Sequence, residues 1–347
     1  MSSNSNSNTF IEKSRQLSVL SIVGPTGVGK TEVSWKVAQQ LAESDHFSGC
    51  DLISADSKQV YADLAILSGA DIPTDAEKYH DQAGNMYFRR GKCRLFGVSM
   101  LTADQSWSVA QFQVFALSII AQAQESNRAI MLVGGTGLYH DRVFENDEQL
   151  RVPRDESLRN KLAGLPIEQL QSTLQSLDPV RFQTMNHSDQ HNPRRLERAI
   201  EVAAYFASEE TNLSTEVVHA SMDTSHYAHQ YLGLTAPDQV LRKRIEKRVQ
   251  ARVAAGAIQE VEQIIRLPDI SETAEATLGF SQIQQYLTQR ISVEECVRLW
   301  GIAEWQYLKR QRTWWKKKDI FWLDLTDADA EDKLQRWLKK TSLLNST

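Results

Sequence analysis

The chain has 347 residues, 41% of them hydrophobic, enough to bury the cores of roughly two domains. No run approaches the ~18 consecutive apolar residues of a membrane-spanning helix, and Cys50, Cys93 and Cys296 are spaced for neither a disulfide framework nor a metal site, which fits a reducing cytoplasm. The net charge of −5 taken alone argues against a nucleic-acid partner, but six basic residues against one acid lie between Arg242 and Arg252, and six against none between Lys309 and Lys318.

Residues 1–16, opening "MSSNSNSNTF", are small and polar without the basic start or apolar run of a signal peptide, and read as a disordered leader. "LSVLSIV" at 17–23 predicts a strand; a glycine loop follows, then "TEVSWKVAQQLA" with apolar residues at helical spacing. "CDLISADS" predicts a second strand ending in an acid, "VAQFQVFALSIIAQAQ" a helix, and "AIMLVGG" at 129–135 a third strand. Strands alternating with helices imply a parallel sheet with its ligands at the carboxyl ends. Past residue 150 the strand signals nearly vanish, and "LRNKLAGL", "IEQLQSTLQSL" and "RRLERAIEVAAYFA" read as amphipathic helices. "HQYLGLTA" at 229–236 restores a strand, and further helices follow it. The chain therefore divides into an α/β domain of residues 17–150 and 226–325, a helical insertion at 151–225 and a tail at 326–347.

Three stretches carry chemistry. Gly24, Gly29, Lys30 and Thr31 fit the G-x-x-x-x-G-K-[ST] pattern directly after a strand and at the opening of a helix, where a plain glycine turn is not expected. Glycines let successive backbone N–H groups converge on phosphate oxygens, the helix dipole adds to them, Lys30 brings a charge, and the Thr31 hydroxyl can ligate Mg²⁺. Kinases and NTPases share this cradle, so other residues must decide the reaction. Asp56, just past the second strand, can ligate Mg²⁺ through water or take a proton from a nucleophile; with Ser57 it equally suits a turn or a helix cap. In "VGGTGLY" at 133–139, three glycines around Thr136 allow backbone and hydroxyl to approach a ligand closely, although a strand-to-helix turn looks the same.

In order, "GPTGVGKT", "LISADSKQVY", "LVGGTGLY", "NPRRLERAIEV", "GLTAPDQVLRKRIEKRV" and "YLKRQRTWWKK" resemble the tRNA dimethylallyltransferase family, also called tRNA isopentenyltransferases, from about residue 17 to 323. The resemblance implies an α/β fold, a P-loop NTPase-like parallel sheet flanked by helices, with an inserted all-helical tRNA-binding domain. It implies a monomer that moves the five-carbon unit of dimethylallyl diphosphate to N6 of the adenosine at tRNA position 37. The diphosphate would lie on Gly24, Pro25, Thr26, Gly27, Val28, Gly29, Lys30 and Thr31, with Mg²⁺ at Thr31 and Arg244 and Arg248 of "RKRIEKR" beside the departing charge. Asp56 would be the general base and Thr136 a positioning residue. Ser57, Lys58 and Gln59 would meet the tRNA, and its anticodon stem-loop would be gripped by Arg194, Arg195 and Arg198 and by Lys309, Arg310 and Arg312 with Trp314 and Trp315. Taken singly, those runs also read as solvated helix faces with core tryptophans.

The chain departs from the family at Ala65, Leu67, Ser68 and Ala70, where Asp, Gly, Thr and Lys are common; a basic residue is missing there, and residues 77–92 match weakly. Asn192 replaces a frequent Asp, and Phe280 a common Tyr. The rivals are an adenylate isopentenyltransferase acting on free nucleotides, a phosphate-loop small-molecule kinase and a nonenzymatic RNA-binding protein.

Overall fold

The computed structural model describes residues 17–145, 147–209 and 227–341; the leader expected at 1–16 lies outside them, as do residues 210–226 of the insertion and 342–347 of the tail. The chain forms two compact units, Met1–Glu145 with Thr224–Thr347, and Asn146–Asp223.

In the first unit the described residues form one sheet: β1 (Leu17–Val23), β2 (Cys50–Ser54), β3 (Glu77–His80), β4 (Met86–Arg90), β5 (Cys93–Phe96), β6 (Ala129–Val133), β7 (Tyr227–Thr235) and β8 (Phe321–Asp324), in the order β3-β4-β5-β2-β6-β1-β7-β8. All pairings are parallel except β3–β4 and β4–β5. Strands β1, β2 and β6 read as near-continuous apolar runs because both faces of the sheet are covered there: Val19, Leu20, Ile22, Leu52, Ile53, Ile130, Met131 and Leu132 are buried. The helices Lys30–Glu43 and Val109–Glu125 pack against this sheet. The second of them starts at a reciprocal cap, Ser108 with Gln111.

Strands β3, β4, β5 and β8 were not expected from the sequence. Residues Glu77–His80 carry almost no buried side chain, so no alternation marks β3; backbone pairing with β4 holds it, helped by Tyr79 stacked on Tyr87 at 5.8 Å and Arg89 over the Tyr79 ring at 4.0 Å. Strand β8 is four residues long and follows a lysine run. Residues 326–347 were expected as a tail, yet they contain the helix Ala330–Lys340. It buries Leu334 and Leu338 and has acids in its first turn and lysines in its last, both favourable to the helix dipole.

In the second unit the helices Glu156–Leu162, Ile167–Leu177, Pro179–Thr184, His187–Gln190 and Pro193–Glu209 close on Leu162, Leu170, Leu174, Leu196, Ala199, Ile200 and Ala203. Asp155, Asp178 and Asn186 cap three of them by accepting from backbone N–H groups. Asn192 accepts from Arg195 N at 3.4 Å at the start of the last.

Candidate active site

Strand β1 ends at Val23, and Gly24–Gly29 turn the chain into the helix Lys30–Glu43. Gly24 has φ +147°, and a β-carbon there would lie 2.5 Å from Leu234 O, so only glycine fits. The loop is held from outside. Thr26 N donates to Gln311 Oε1 at 2.8 Å, and Thr26 Oγ1 donates to Glu304 Oε2 at 3.2 Å. Arg248 Nη2 donates to Thr26 Oγ1 at 2.6 Å, and Arg244 Nη1 to Val28 O at 2.8 Å. Lys30 Nζ donates to Gly24 O and Pro25 O at 3.0 and 3.1 Å. Burial pulls the Lys30 amine down to about 8; Arg248 pulls the same way, while Asp56, Asp71 and Glu304 oppose it.

A cavity of about 320 Å³ opens on this loop, lined by Thr26, Gly27, Gly29, Lys30 and Thr31, by Asp56, Gln59, Asp71, Arg248, Tyr307 and Gln311, and by apolar Trp35, Leu52, Leu95, Val98 and Val133. Phosphate loop and acid, predicted separately, thus face one space. Asp56 Oδ1 accepts from Lys58 N at 2.9 Å, so the carboxylate also closes the turn the sequence allowed. Its Oδ2 makes no hydrogen bond among the described residues. Thr136 sits behind that turn: its hydroxyl accepts from Ser57 N at 3.4 Å, and its N donates to Ala55 O at 3.2 Å.

The glycines around Thr136 serve close approach of the protein to itself. A β-carbon at Gly134 would lie 2.2 Å from Ala55 O, at Gly135 1.8 Å from Gln311 Nε2, and at Gly137 2.3 Å from the Trp314 ring. Arg244 is outside the cavity lining and buttresses the loop through Val28; Arg248, one turn further along the same helix, Asp238–Ala255, lines the cavity.

Four residues of the site escaped the sequence reading. Asp71 accepts from Thr31 Oγ1 at 2.5 Å and from Gln59 Nε2 at 3.3 Å. Glu304, Tyr307 and Gln311 share one face of the helix Val293–Trp315, and polar residues at that spacing on an otherwise buried stripe were the available signal. Glu304 is 1% exposed and binds Arg248 at 3.1 Å and Arg252 at 3.0 Å. Burial alone would raise its carboxyl, but the two guanidinium groups and Thr26 hold it below the ordinary range. Around Ala65–Ala70, where the sequence departs from the family pattern, side chains of another helical stretch hold the backbone. Glu260 accepts from Ile66 N and Leu67 N at 2.8 and 2.7 Å, capping the helix Ala65–Ser68, and Arg252 Nη2 donates to Ser68 O at 2.9 Å.

The residues expected to meet RNA divide into two groups. Lys58 Nζ donates to Thr273 O at 2.7 Å, Arg312 Nη2 to Ala236 O at 3.1 Å while also pairing with Asp238, and Trp315 is fully buried against His140. Arg198 donates to Glu201, Gln149 O and Val152 O, and Arg195 pairs with Asp189. Except for Arg195, which stays more than half exposed, these side chains are engaged by partners within their own units. Lys309, Arg310 and Arg194 are exposed, and Trp314, 40% exposed, donates to Asp141 at 3.0 Å.

Among the described residues no helix is long and apolar enough to cross a membrane. The family model for IPP transferase matches residues 59–318, and that for isopentenyl transferase residues 17–84. The tRNA dimethylallyltransferase of Finegoldia magna is 30% identical over 92% of this chain and 95% of its own length, and that of an Exiguobacterium species 31% identical over 88% and 90%. The crystal structure of the full-length tRNA isopentenylpyrophosphate transferase from Bacillus halodurans is similar with a TM-score of 0.61, at 27% identity, covering 93% of this chain and 94% of that one. A P-loop-like parallel sheet, a loop and a carboxylate facing one cavity, and matches along nearly the whole length agree: the chain belongs to the IPP transferase family, the tRNA dimethylallyltransferases.

Proposed function

We propose that the enzyme transfers the dimethylallyl group of dimethylallyl diphosphate to N6 of the adenosine at tRNA position 37, beside the anticodon, and releases diphosphate. The observation that carries this reading is the shared cavity: a phosphate cradle, one carboxylate oxygen without a partner among the described residues, and an apolar wall. A γ-phosphoryl transfer has no use for that wall. A free-nucleotide acceptor has none for the exposed Lys309 and Arg310 or for the helical unit.

An exocyclic adenine amine is a weak nucleophile, so most of the barrier falls to ionisation of the donor. The C1–O bond breaks with its electron pair leaving on the diphosphate, the C1–N6 bond forms, and the N6 proton passes to Asp56. Lys30 and Arg248 hold the leaving charge with the loop N–H groups, and the carbonyls of Gly24 and Pro25 keep the Lys30 amine in place until phosphate replaces them. Thr136 fixes the Ser57 turn and with it the direction of Asp56. The hydroxyl of Thr31 and the carboxylate of Asp71 are hard oxygen donors that suit Mg²⁺, a cation held by one or two carboxylates together with substrate phosphates. When bound, Mg²⁺ would neutralise leaving-group charge. The base must leave its stack to enter the cavity, which costs less from a loop than from a duplex. We place the reaction in the cytoplasm, on a monomer.

The test is incubation with labelled dimethylallyl diphosphate and either unmodified tRNA or free AMP. Label on an anticodon-loop adenosine is expected; label on AMP alone, or on neither acceptor, overturns the reading.

A further inference from the structure

The cavity does not stop at the carboxyl edge of the sheet. It continues between the helix Lys30–Glu43 and the sheet, where Ser34, Trp35, Leu52, Leu95 and Val98 line it. Leu52 and Ser54 are two residues apart on β2 and share a face, and Leu95 of β5 is the register partner of Leu52. Ser34 lies about one helical turn beyond Lys30, and Leu52 two strand residues back from Ser54, so both walls descend about 6 Å below the loop. The hydroxyls on the way down are already engaged: Ser34 Oγ donates to Lys30 O at 2.7 Å, and Ser54 Oγ to Gln59 Oε1 at 3.1 Å. What is left is an apolar slot. On the same strand face the next register pair is Cys50 with Cys93, both buried in the packed core.

We propose that Leu52 and Leu95, with Trp35 at their side, are the floor that limits the donor to a single isoprene unit. The inference rests on the donor reading above. The loop fixes the diphosphate, so the reach of the hydrocarbon into the slot is measured from there. A dimethylallyl tail, four carbons in line, ends at the level of Leu52 and Leu95. A second isoprene unit would have to enter the space of Cys50 and Cys93, and close-packed interiors yield such space only by displacing side chains.

The experiment compares dimethylallyl and geranyl diphosphate in two ways: calorimetric binding to the protein alone, and transfer to unmodified tRNA. The wild-type protein is expected to prefer the five-carbon donor at least 100-fold. Leu95→Ala should bring the ratio down at least tenfold by improving the ten-carbon donor, and Leu95→Val, a smaller truncation for use if the alanine variant melts early, should do so to a lesser degree. Leu41→Ala opens a comparable hole in the same helix's packing but away from the slot, and should leave the ratio as it is. An unchanged ratio in folded Leu95→Ala or Leu95→Val overturns the proposal, and so does equal relaxation in Leu41→Ala. Binding selectivity that follows Leu95 without any transfer to tRNA would uphold the floor and remove the acceptor reading instead.

Discussion

Arg252 stands so close to Gly69 that a β-carbon on the glycine would lie 2.0 Å from its Nη2. That guanidinium is buried, pairs with Glu304 and donates to Ser68 O, so a cation from the helix Asp238–Ala255 serves the segment that carries Ala70 where the family commonly has lysine. Breaking a buried pair leaves an uncompensated charge, and Arg252→Ala is expected to cost about 3–5 kcal/mol. Denaturant unfolding reads this directly; a loss below about 1 kcal/mol would mean that Arg248 alone satisfies Glu304.

In the proposed reaction Asp56 has two duties, turn closure and proton acceptance, that substitution can separate. Asp56→Asn keeps an oxygen to accept from Lys58 N but removes the proton acceptor, whereas Asp56→Ala removes both. Both variants should lose roughly 10²-fold or more in turnover with tRNA affinity nearly intact. Near-normal turnover in Asp56→Asn would reduce the carboxylate to a turn closure.

Asp71→Asn should weaken divalent-cation binding in the presence of diphosphate by about 10–100-fold, the usual effect of losing a carboxylate that orients a ligand. Mn²⁺ titration followed by electron paramagnetic resonance reports this without turnover. Equal Mn²⁺ affinity in the variant would leave Asp71 as a partner of Thr31 only.

Ser21, fully buried, joins two histidines: its hydroxyl is 2.8 Å from His140 Nδ1 and 2.6 Å from His229 Nε2. Burial, and then Lys318, lowers His229 from 6.5 to about 4; burial, and then His229, puts His140 well below its ordinary value. The folded state therefore binds these protons less readily than the unfolded state. The stabilising contribution is complete above about pH 6.5 and is lost as pH falls toward 4. The melting temperature should drop across that window, and by less in His229→Gln; parallel curves for the two proteins would count against the histidines.

Within the helical unit, Arg198→Ala and Arg194→Ala should behave differently. The first removes ties to Glu201, Gln149 O and Val152 O and should lower that unit's stability by about 2–3 kcal/mol. The second should leave stability unchanged, weaken tRNA binding and reduce its salt slope by about 1.

What the sequence disclosed and what it withheld follow from how each part is built. The phosphate loop is one contiguous stretch whose residue types are each required by the turn or by the phosphate, and Asp56 follows a strand directly, so both were legible. Gln311 reaches Thr26 across 285 positions, and Asp71 reaches Thr31 across 40; the buried stripe around Gln311 hints at an inward polar group but names no partner, and nothing local marks Asp71. Arg194 and Arg198 lie about one turn apart on the helix Pro193–Glu209, but sharing a face does not fix a direction: Arg194 is exposed while Arg198 turns inward to Glu201. Strand β3 is held by backbone pairing with hardly any burial, a bond that leaves no apolar pattern to read.

The helix Val293–Trp315 brings Gln311 to the backbone of the cradle while Lys309 and Arg310, immediately before it, stay exposed. An RNA held by those two side chains and a diphosphate held by the cradle would lean on opposite sides of the same rod. A helix that bends or frays near Leu308 would then slacken both grips together, so losses in donor and acceptor affinity should rise and fall as a pair.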